Sequence, residues 1–144
     1  MEEALALAAR AASEGEVPVG AVVVHEGRVI GRGYNRREQD QDFAAHAEFI
    51  AMREAQSSLS SWRLVDCTVY VTLEPCPMCA GAMVLSRIHR CVFGTTDPKG
   101  GFLGTVGDLS QHPALNHRFE VVPGLLAESA AAQLQSFFRA LRRR

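Results

Sequence analysis

The chain contains 144 residues, a length typical of one folded domain and too short for two separate hydrophobic cores. Hydrophobic residues make up 47% of it and charged residues 22%, which is ordinary for a globular protein and excludes disordered and fibrous classes. The formal net charge is -1, so no overall positive field indicates a nucleic-acid partner. We expect a single domain over residues 1–144, with no membrane span and no secretory signal, and therefore a cytoplasmic protein.

The first part of the chain alternates helical and strand-like patterns. Apolar residues recur at helical spacing from residue 2 to about residue 13, which predicts a helix. Residues 17–24 and 28–34 are rich in β-forming residues and flank a glycine-containing turn, which predicts a hairpin. A polar loop is expected over residues 35–43, and helical spacing follows over residues 44–56.

The second part of the chain predicts three more strands and two more helices. The strands are expected at residues 68–73, 91–94 and 119–122, and the helices at 76 to about 86 and 129 to about 141. Residues 95–117 have no periodic pattern and predict a long loop. This order of elements predicts an α/β protein, a three-layer α/β/α sandwich around a five-stranded mixed sheet. The hairpin supplies the antiparallel part, and the later crossovers should be parallel and right-handed.

Four cysteines lie at positions 67, 76, 79 and 91. A disulfide framework is not expected in a chain of this size without a secretory signal. Cys67 and Cys91 lie in apolar, strand-like surroundings that are typical of inert core residues. Cys76 and Cys79 belong to a Pro-Cys-Pro-Met-Cys segment, which indicates metal or redox chemistry.

A second motif, His46-Ala-Glu48, is predicted at the start of the preceding helix. The sulfurs of Cys76 and Cys79 lie on one face of a first helical turn, where the helix dipole favours the thiolate that binds metals. If the two helices pack side by side, His46, Cys76 and Cys79 converge on one point. Three protein ligands leave a position open for water, as in catalytic zinc sites. Glu48 could then move a proton between that water and a substrate nitrogen.

Two other interpretations of the cysteine pair are a redox dithiol and half of a four-cysteine structural zinc site. The sequence lacks the aromatic surroundings expected of the first and the additional Cys-x-x-Cys expected of the second. A Pro-Cys-x-x-Cys segment is expected by chance about 0.005 times at this composition, whereas His-x-Glu is expected about 0.4 times. The specificity of the pattern therefore lies in the cysteine motif, sharpened by the upstream histidine and glutamate.

The combination of His-x-Glu and Pro-Cys-x-x-Cys is the signature of the zinc-dependent nucleobase deaminases. Over nearly its whole length the chain resembles, more specifically, the bacterial tRNA-specific adenosine deaminases of the cytidine and deoxycytidylate deaminase superfamily. The segments that carry this resemblance are residues 17–21, 33–35, 45–48, 70–83, 86–88, 97–99, 112–113, 116–117 and 137–139.

The resemblance implies a cytidine-deaminase-like fold and a homodimer with one Zn²⁺ per subunit, held by His46, Cys76 and Cys79. Glu48 would take a proton from the zinc-activated water and pass it to the adenine ring, so that adenosine at the wobble position of a tRNA anticodon becomes inosine. The residues that it assigns to contacts with the anticodon stem-loop are Val19, Asn35, Asp97, Lys99, His112, Asn116, His117, Phe138 and Arg139.

Several of these residues also have structural interpretations. Asn35 is a typical turn residue, and His112 and His117 could cap loops. Phe137 and Phe138 are adjacent, so a helix cannot direct both into the core. One of them can be a stacking platform for an unpaired base or be buried in a dimer. The arginines at positions 139 and 142–144 can equally be a solvated basic tail that complements the helix dipole.

The sequence departs from the family pattern at positions that bear on the mouth of the pocket. Phe43 and Ala44 stand where the family usually has Pro-Thr, Phe49 replaces an isoleucine, and Tyr34 replaces a tryptophan. Leu141 interrupts the basic end of the chain. These changes concern the pocket mouth and the binding of RNA by the tail, and they leave the predicted metal ligands unaltered.

Two other functions remain to be distinguished. One is a guanine or cytidine deaminase that acts on a free base or nucleoside, which would have no use for an arginine-rich final helix with Phe137 and Phe138. The other is a zinc-stabilised RNA-binding or assembly module without catalysis. Glu48 argues against the module, because a purely structural metal site needs no acid beside the metal.

Overall fold

A computed structural model describes residues 1–143 as a five-stranded mixed sheet covered by helices. The strands are β1 (Gly20–His25), β2 (Arg28–Tyr34), β3 (Cys67–Leu73), β4 (Arg90–Thr95) and β5 (Glu120–Val122), in the order β2-β1-β3-β4-β5. β1 is antiparallel to both β2 and β3, whereas β4 is parallel to β3 and β5. The predicted mixed sheet, with its hairpin and parallel crossovers, is confirmed.

The helices are α1 (Glu2–Ser13), α2 (Arg37–Asp40), α3 (Ala47–Leu59), α4 (Pro77–Leu85) and α5 (Ala127–Arg142). α1 and α5 pack on one face of the sheet, and α3 and α4 pack on the other. This arrangement confirms the three-layer α/β/α sandwich. Arg144, the last residue of the predicted basic tail, lies outside the described residues.

Several predicted boundaries differ from the observed ones by a few residues, and three of these differences have a clear local reason. α3 continues to Leu59 because the chain leaves the helix only at Ser60, which adopts a left-handed conformation with φ of 49°. The hairpin strand begins at Gly20 rather than residue 17, since Pro18 has no N–H to donate to a ladder. The predicted polar loop over residues 35–43 contains the one-turn helix α2, which is too short to show a hydrophobic period.

Small residues bring α3 unusually close to the sheet. A Cβ atom added to Gly31 or Gly33 of β2 would collide with backbone carbonyl oxygens of α3, those of Ala51 and Ala47 respectively. Ala47, Ala51 and Ala55 are fully buried on the facing side of the helix. The close approach of β2 and α3 therefore fixes the position of the first turn of α3, which carries the His-x-Glu motif.

The core lies between the sheet and the two helices that bear the sequence motifs. Its largest members, which include Phe93, Leu64, Met83 and Ile88, are at most 2% exposed. The segment between β4 and β5, residues 96–119, is fully described and contains no helix or strand, as predicted. No helix within residues 1–143 is long and apolar enough to cross a membrane.

Candidate active site

Three side chains with metal-binding atoms converge where α3 and α4 begin. The ligand atoms of His46, Cys76 and Cys79 all lie within 4.8 Å of one another, and His46 Nδ1 is 3.6 Å from each sulfur. His46 is the N-cap of α3, Cys76 is the N-cap of α4, and Cys79 lies in the first turn of α4. The side-by-side packing expected from the sequence thus brings the three predicted ligands together.

These distances suit a tetrahedral zinc ion. Zinc bonds of about 2.3 Å to sulfur and about 2.0 Å to nitrogen place tetrahedral N and S ligands about 3.5 Å apart. The two observed nitrogen–sulfur distances of 3.6 Å agree with this value. Two thiol groups and one imidazole are also the donor types that zinc prefers, so the residues present fit the ion.

Local sequence explains why the two cysteines face the same point. Pro77 occupies the first turn of α4, where its fixed φ angle favours the helix and no N–H is needed. Cys76 has an extended backbone with ψ of 173°, whereas Cys79 is already helical. This change of conformation over three residues directs both sulfurs toward His46.

The pKa values of the two thiols are shifted in opposite directions. A hydrogen bond from Cys79 lowers the pKa of Cys76 to about 4, and His46 contributes in the same direction. The pKa of Cys79 is correspondingly raised, first by its hydrogen bond to Cys76 and then by burial. The pKa of His46 is raised by its hydrogen bond with Cys76. Hydrogen bonding within this group therefore favours a thiolate, the form in which sulfur binds metals.

The other two cysteines belong to the core, as their sequence context predicts. Cys67 and Cys91 are fully buried in β3 and β4. Burial raises the pKa of Cys67 to about 11 and also raises the pKa of Cys91. Both are therefore neutral thiols at physiological pH, and neither joins the metal-binding group.

Glu48 lies beside the three ligands without belonging to their group. It occupies the first turn of α3 and is 4% exposed. Burial raises the pKa of its carboxyl to about 6, opposed in part by a hydrogen bond to its own backbone N–H and by the charge of His46. A carboxyl group with a pKa near neutrality can both accept and release a proton, which a proton shuttle requires.

The motif residues lie beside an open cavity of about 150 Å³. His46, Glu48 and Cys76 line it, and so do three of the predicted substrate residues, Val19, Asn35 and Asp97. The remaining lining residues are Val17, Arg37, Ala47, Leu73 and Glu74. The cavity is thus formed where the ends of β2 and β3 meet the starts of α3 and α4.

Asn35 has the structural role that its sequence context allowed, and it also lines the cavity. Its side-chain Nδ2 donates to the carbonyl oxygen of Val17 at 3.2 Å, and its Oδ1 accepts from the N–H of Arg37 at 3.1 Å. Its backbone N–H donates to the carbonyl oxygen of Val19. These bonds fix Asn35 in the wall, so both interpretations of this residue remain compatible with its position.

Three other predicted contact residues lie in the long loop between β4 and β5 and do not line the cavity. Lys99 is exposed next to Asp97, and its N–H donates to the Asp97 carboxylate at 3.0 Å. His112 and Asn116 are exposed, and the Nδ1 of His112 accepts from the N–H of Ala114 at 3.1 Å, which is a loop cap.

His117 lies at a separate groove. Its Nε2 lies 2.8 Å from the carbonyl oxygen of Ile88, and the groove is also lined by Arg63, Arg87 and Arg118.

The last two predicted contacts lie on α5, across the sheet from α3 and α4. Phe137 is half-buried beside α1, whereas Phe138 is 40% exposed, as expected for neighbours on a helix. Arg139 is exposed as well. Within one copy of the chain, α5 and the cavity therefore do not meet.

The family departures fall outside the cavity wall. Phe43 is 80% exposed, and Phe49 is only partly buried. Tyr34 is buried, with the guanidinium groups of Arg10 and Arg36 over its ring at 4.9 and 5.6 Å. None of these aromatic residues is among the described residues that line the cavity.

Sequence analysis missed two charged residues of the cavity wall, Arg37 and Glu74. Glu74 is 2% exposed and accepts hydrogen bonds from the loop after β4. Its signal in the sequence is an acidic residue between a buried strand and a Pro-Cys motif. Arg37 lies in α2, which has no sequence signal of its own.

Comparison with known proteins identifies the family of this chain. Residues 1–142 match the MafB19-like deaminase family. The chain is 51% identical over its full length to the tRNA-specific adenosine deaminase of Bacillus subtilis, covering 89% of that protein. It is 46% identical to the corresponding protein of Haemophilus influenzae, with 96% of this chain and 81% of the relative covered.

Two solved structures of deaminases superpose on this chain, the first more closely than the second. One from studies of A-to-I editing by tRNA:A34 deaminases superposes with a TM-score of 0.90 at 42% identity, covering 93% of this chain and 97% of that one. A guanine deaminase from Nitrosomonas europaea superposes with a TM-score of 0.77 at 28% identity, over 94% of this chain and 81% of its own. The chain belongs to the MafB19-like deaminase family and to the family of the tRNA-specific adenosine deaminases.

Proposed function

We propose that this protein converts adenosine to inosine at the wobble position of a tRNA anticodon by hydrolytic deamination. The observation that carries the proposal is the buried Glu48 beside His46, Cys76 and Cys79 in an open cavity, in a chain 51% identical to a tRNA-specific adenosine deaminase. In the overall reaction, water replaces the amino group on C6 of adenine and ammonia leaves. The geometry provides for a metal, a proton carrier and a base-sized space.

We infer that His46, Cys76 and Cys79 hold one zinc ion per chain. Their mutual distances and their donor types support this inference. When bound, zinc supplies a Lewis acid that lowers the pKa of a water molecule toward neutrality. The hydrogen bonds that Cys79 and His46 make with Cys76 lower the pKa of its thiol and so favour the thiolate, which is the form that binds metals.

Glu48 moves the protons of the reaction. Its carboxylate accepts a proton from the attacking water and delivers it to a ring nitrogen of adenine. It then passes the remaining proton of the new hydroxyl group to the amino group on C6, so that the C6–N bond breaks, ammonia leaves and the C6 carbonyl forms. Burial supports this role because it raises the pKa of the carboxyl to about 6, so that both protonation states are populated near neutral pH. The wall of the cavity near Glu48 includes the apolar residues Val17 and Leu73.

The cavity accepts a base only when that base is unstacked from its neighbours. A nucleobase inside an anticodon loop meets this condition at lower cost than one inside a duplex. Val19 and Asn35 would contact the nucleoside, and Asp97 and Lys99 would contact the adjoining RNA. The exposed loop and α5 residues would extend this surface along the stem-loop; they are His112, Asn116, His117, Phe138 and Arg139.

We further propose a homodimer and a cytoplasmic location. α4 exposes apolar side chains, with Leu85 70% exposed, and a second copy could cover them. A second copy could also bring its own α5 or basic groove toward the cavity. The cytoplasm fits a tRNA substrate and the four free thiols, since cysteines remain reduced there.

The test is inosine formation by the purified, zinc-loaded protein on an anticodon stem-loop with adenosine at the wobble position. Free adenosine, guanine and cytidine are assayed in parallel, and Glu48→Ala serves as the blank. We expect inosine in the stem-loop only. Turnover of guanine or cytidine instead would refute the RNA substrate, and no turnover at all would favour a non-catalytic RNA-binding module.

A further inference from the structure

One buried acidic residue of the cavity wall, Glu74, has no role in the proposed reaction. Glu74 lies between β3 and the metal-ligand segment, two residues before Cys76, and is 2% exposed. No ion pair with an arginine, lysine or histidine involves it within residues 1–143. A buried carboxylate without a cation must be satisfied by hydrogen bonds, because the cost of removing it from water is large.

All hydrogen bonds recorded for the Glu74 carboxylate come from a single segment, residues 97–105. Oε1 accepts from the N–H of Asp97 at 3.1 Å and from the hydroxyl of Thr105 at 2.5 Å. Oε2 accepts from the N–H of Leu103 at 3.0 Å and from the N–H of Thr105 at 3.1 Å. Hydrogen bonds to an ionised acceptor are the stronger kind, so this carboxylate is a firm anchor for the segment.

The segment is also wrapped closely around the anchor. A Cβ atom on Gly101 would collide with the carboxyl group of Glu74, so only glycine permits this approach. The N–H of Phe102 donates to the carbonyl oxygen of Pro75 at 2.9 Å, which adds a backbone link to the residue that follows Glu74. The loop is therefore attached to the same short stretch of chain that continues into Cys76.

This attachment connects two parts of the proposed reaction. Asp97, at one end of the anchored segment, lines the cavity, and its carboxylate accepts from the N–H groups of Lys99 and Gly100 at 3.0 and 3.3 Å. A change in the bonds to Glu74 would therefore move Asp97 and Lys99 relative to the metal ligands. It would do so without altering any ligand.

We propose that Glu74 is a positioning residue. It holds the substrate loop, residues 97–105, in the position relative to the metal ligands in which Asp97 and Lys99 contact the RNA. It acts through the loop, since its two oxygens are occupied by loop donors. This inference rests on the proposed function, because it concerns how the same site receives its RNA substrate.

The main test is Glu74→Gln in the zinc-loaded protein. An amide in place of the carboxylate turns an NH₂ group toward N–H or O–H donors and removes the charge, so the loop loses its anchor. We expect the KM for the wobble-adenosine stem-loop, and its Kd measured by fluorescence polarisation, to rise at least about tenfold. We expect kcat at saturating RNA to change by less than about threefold and zinc content to stay at one per chain. The amides of Asp97, Leu103 and Thr105 should exchange with solvent faster than in the wild type.

A second pair of variants keeps the test informative if Glu74→Gln does not fold. Thr105→Val removes one hydroxyl donor and preserves the side-chain shape, whereas Thr105→Ser retains the donor. We expect Thr105→Val to raise the KM and Kd for the stem-loop by several-fold, and Thr105→Ser to restore both toward the wild-type values.

Two results would overturn the positioning role. One is an unchanged KM and Kd in Glu74→Gln or Thr105→Val, whether or not the loop amides exchange faster. The other is a loss of zinc or a fall in kcat at unchanged KM, which would mean that Glu74 acts on the ligand helix. The proposed function fails separately, if the wild-type protein forms no inosine, and the binding and exchange measurements remain valid in that case.

Discussion

The close approach of β2 to α3 predicts that a single methyl group will disturb the metal site from a distance. In Gly33→Ala the new Cβ would collide with the carbonyl oxygen of Ala47 and lie 2.8 Å from the N–H nitrogen of Ala51. Ala47 stands between His46 and Glu48, in the first turn of α3. Because the colliding atoms are backbone atoms, the helix must move away from the sheet.

The size of the effect follows from the overlap. Restoring an ordinary contact requires the first turn of α3 to shift by about 1 Å, and a displacement of that size at a catalytic group can cost about 10²-fold in rate. Overpacking of this kind also lowers the free energy of unfolding by about 1–3 kcal/mol. We therefore expect kcat/KM on the stem-loop to fall about 100-fold and zinc affinity to fall with it, in a protein that still folds.

Gly31→Ala is the matched control. Its Cβ would collide with the carbonyl oxygen of Ala51 and approach the N–H nitrogen of Ala55 to 3.0 Å, so it crowds the same two elements about one turn farther from His46. We expect a similar loss of stability, a shift in Tm of roughly 3–10 °C, but less than about a tenfold loss of kcat/KM.

The assay combines thermal unfolding, zinc content by elemental analysis and inosine formation for the wild type and both variants. If the two variants lose stability and activity in parallel, the contact at Gly33 has no special relation to the site. If Gly33→Ala keeps wild-type kcat/KM and zinc affinity, the explanation of how His46 and Glu48 are positioned is wrong.

The other predictions concern the proton carrier, the metal, the RNA and the dimer. Glu48→Ala should keep fold and zinc while turnover falls about 10²–10⁴-fold, and retained turnover would remove Glu48 from the mechanism. Cys76→Ala should lose zinc by elemental analysis, and full occupancy would argue against the site. Phe138→Ala should raise the Kd for the stem-loop about 5- to 100-fold with little change in Tm, since the side chain is 40% exposed; an unchanged Kd would exclude base stacking there. Leu85→Lys should sediment as a folded monomer if α4 forms the dimer interface, and an unaltered dimer would place that interface elsewhere.

The architecture could be predicted because its determinants are local. The alternation of apolar residues with period two or with helical spacing located the strands and all helices longer than one turn, and their order favoured one three-layer arrangement. The boundaries were less accurate because single backbone conformations decide them. The end of α3 at Ser60 depends on a left-handed residue that no periodic pattern reveals.

The convergence of the three candidate metal ligands could be predicted for a similar reason. Cys76 and Cys79 are close in sequence, and His46 begins the helix that packs beside theirs, so spacing and topology together were sufficient. Glu74 and Arg37 could not be assigned in this way. The role proposed for Glu74 depends on hydrogen-bond donors that lie 23–31 residues farther along the chain. These donors come close to its carboxylate only in the folded protein.

The measurement that tests the account most directly is position-resolved inosine formation in one RNA. An anticodon stem-loop with adenosine at the wobble position and at neighbouring loop positions is incubated with the zinc-loaded protein or with Glu48→Ala, and each position is analysed for inosine. The account predicts inosine at the wobble position with the wild type and none with Glu48→Ala. An unmodified RNA, together with deamination of free guanine by the same preparation, would contradict it.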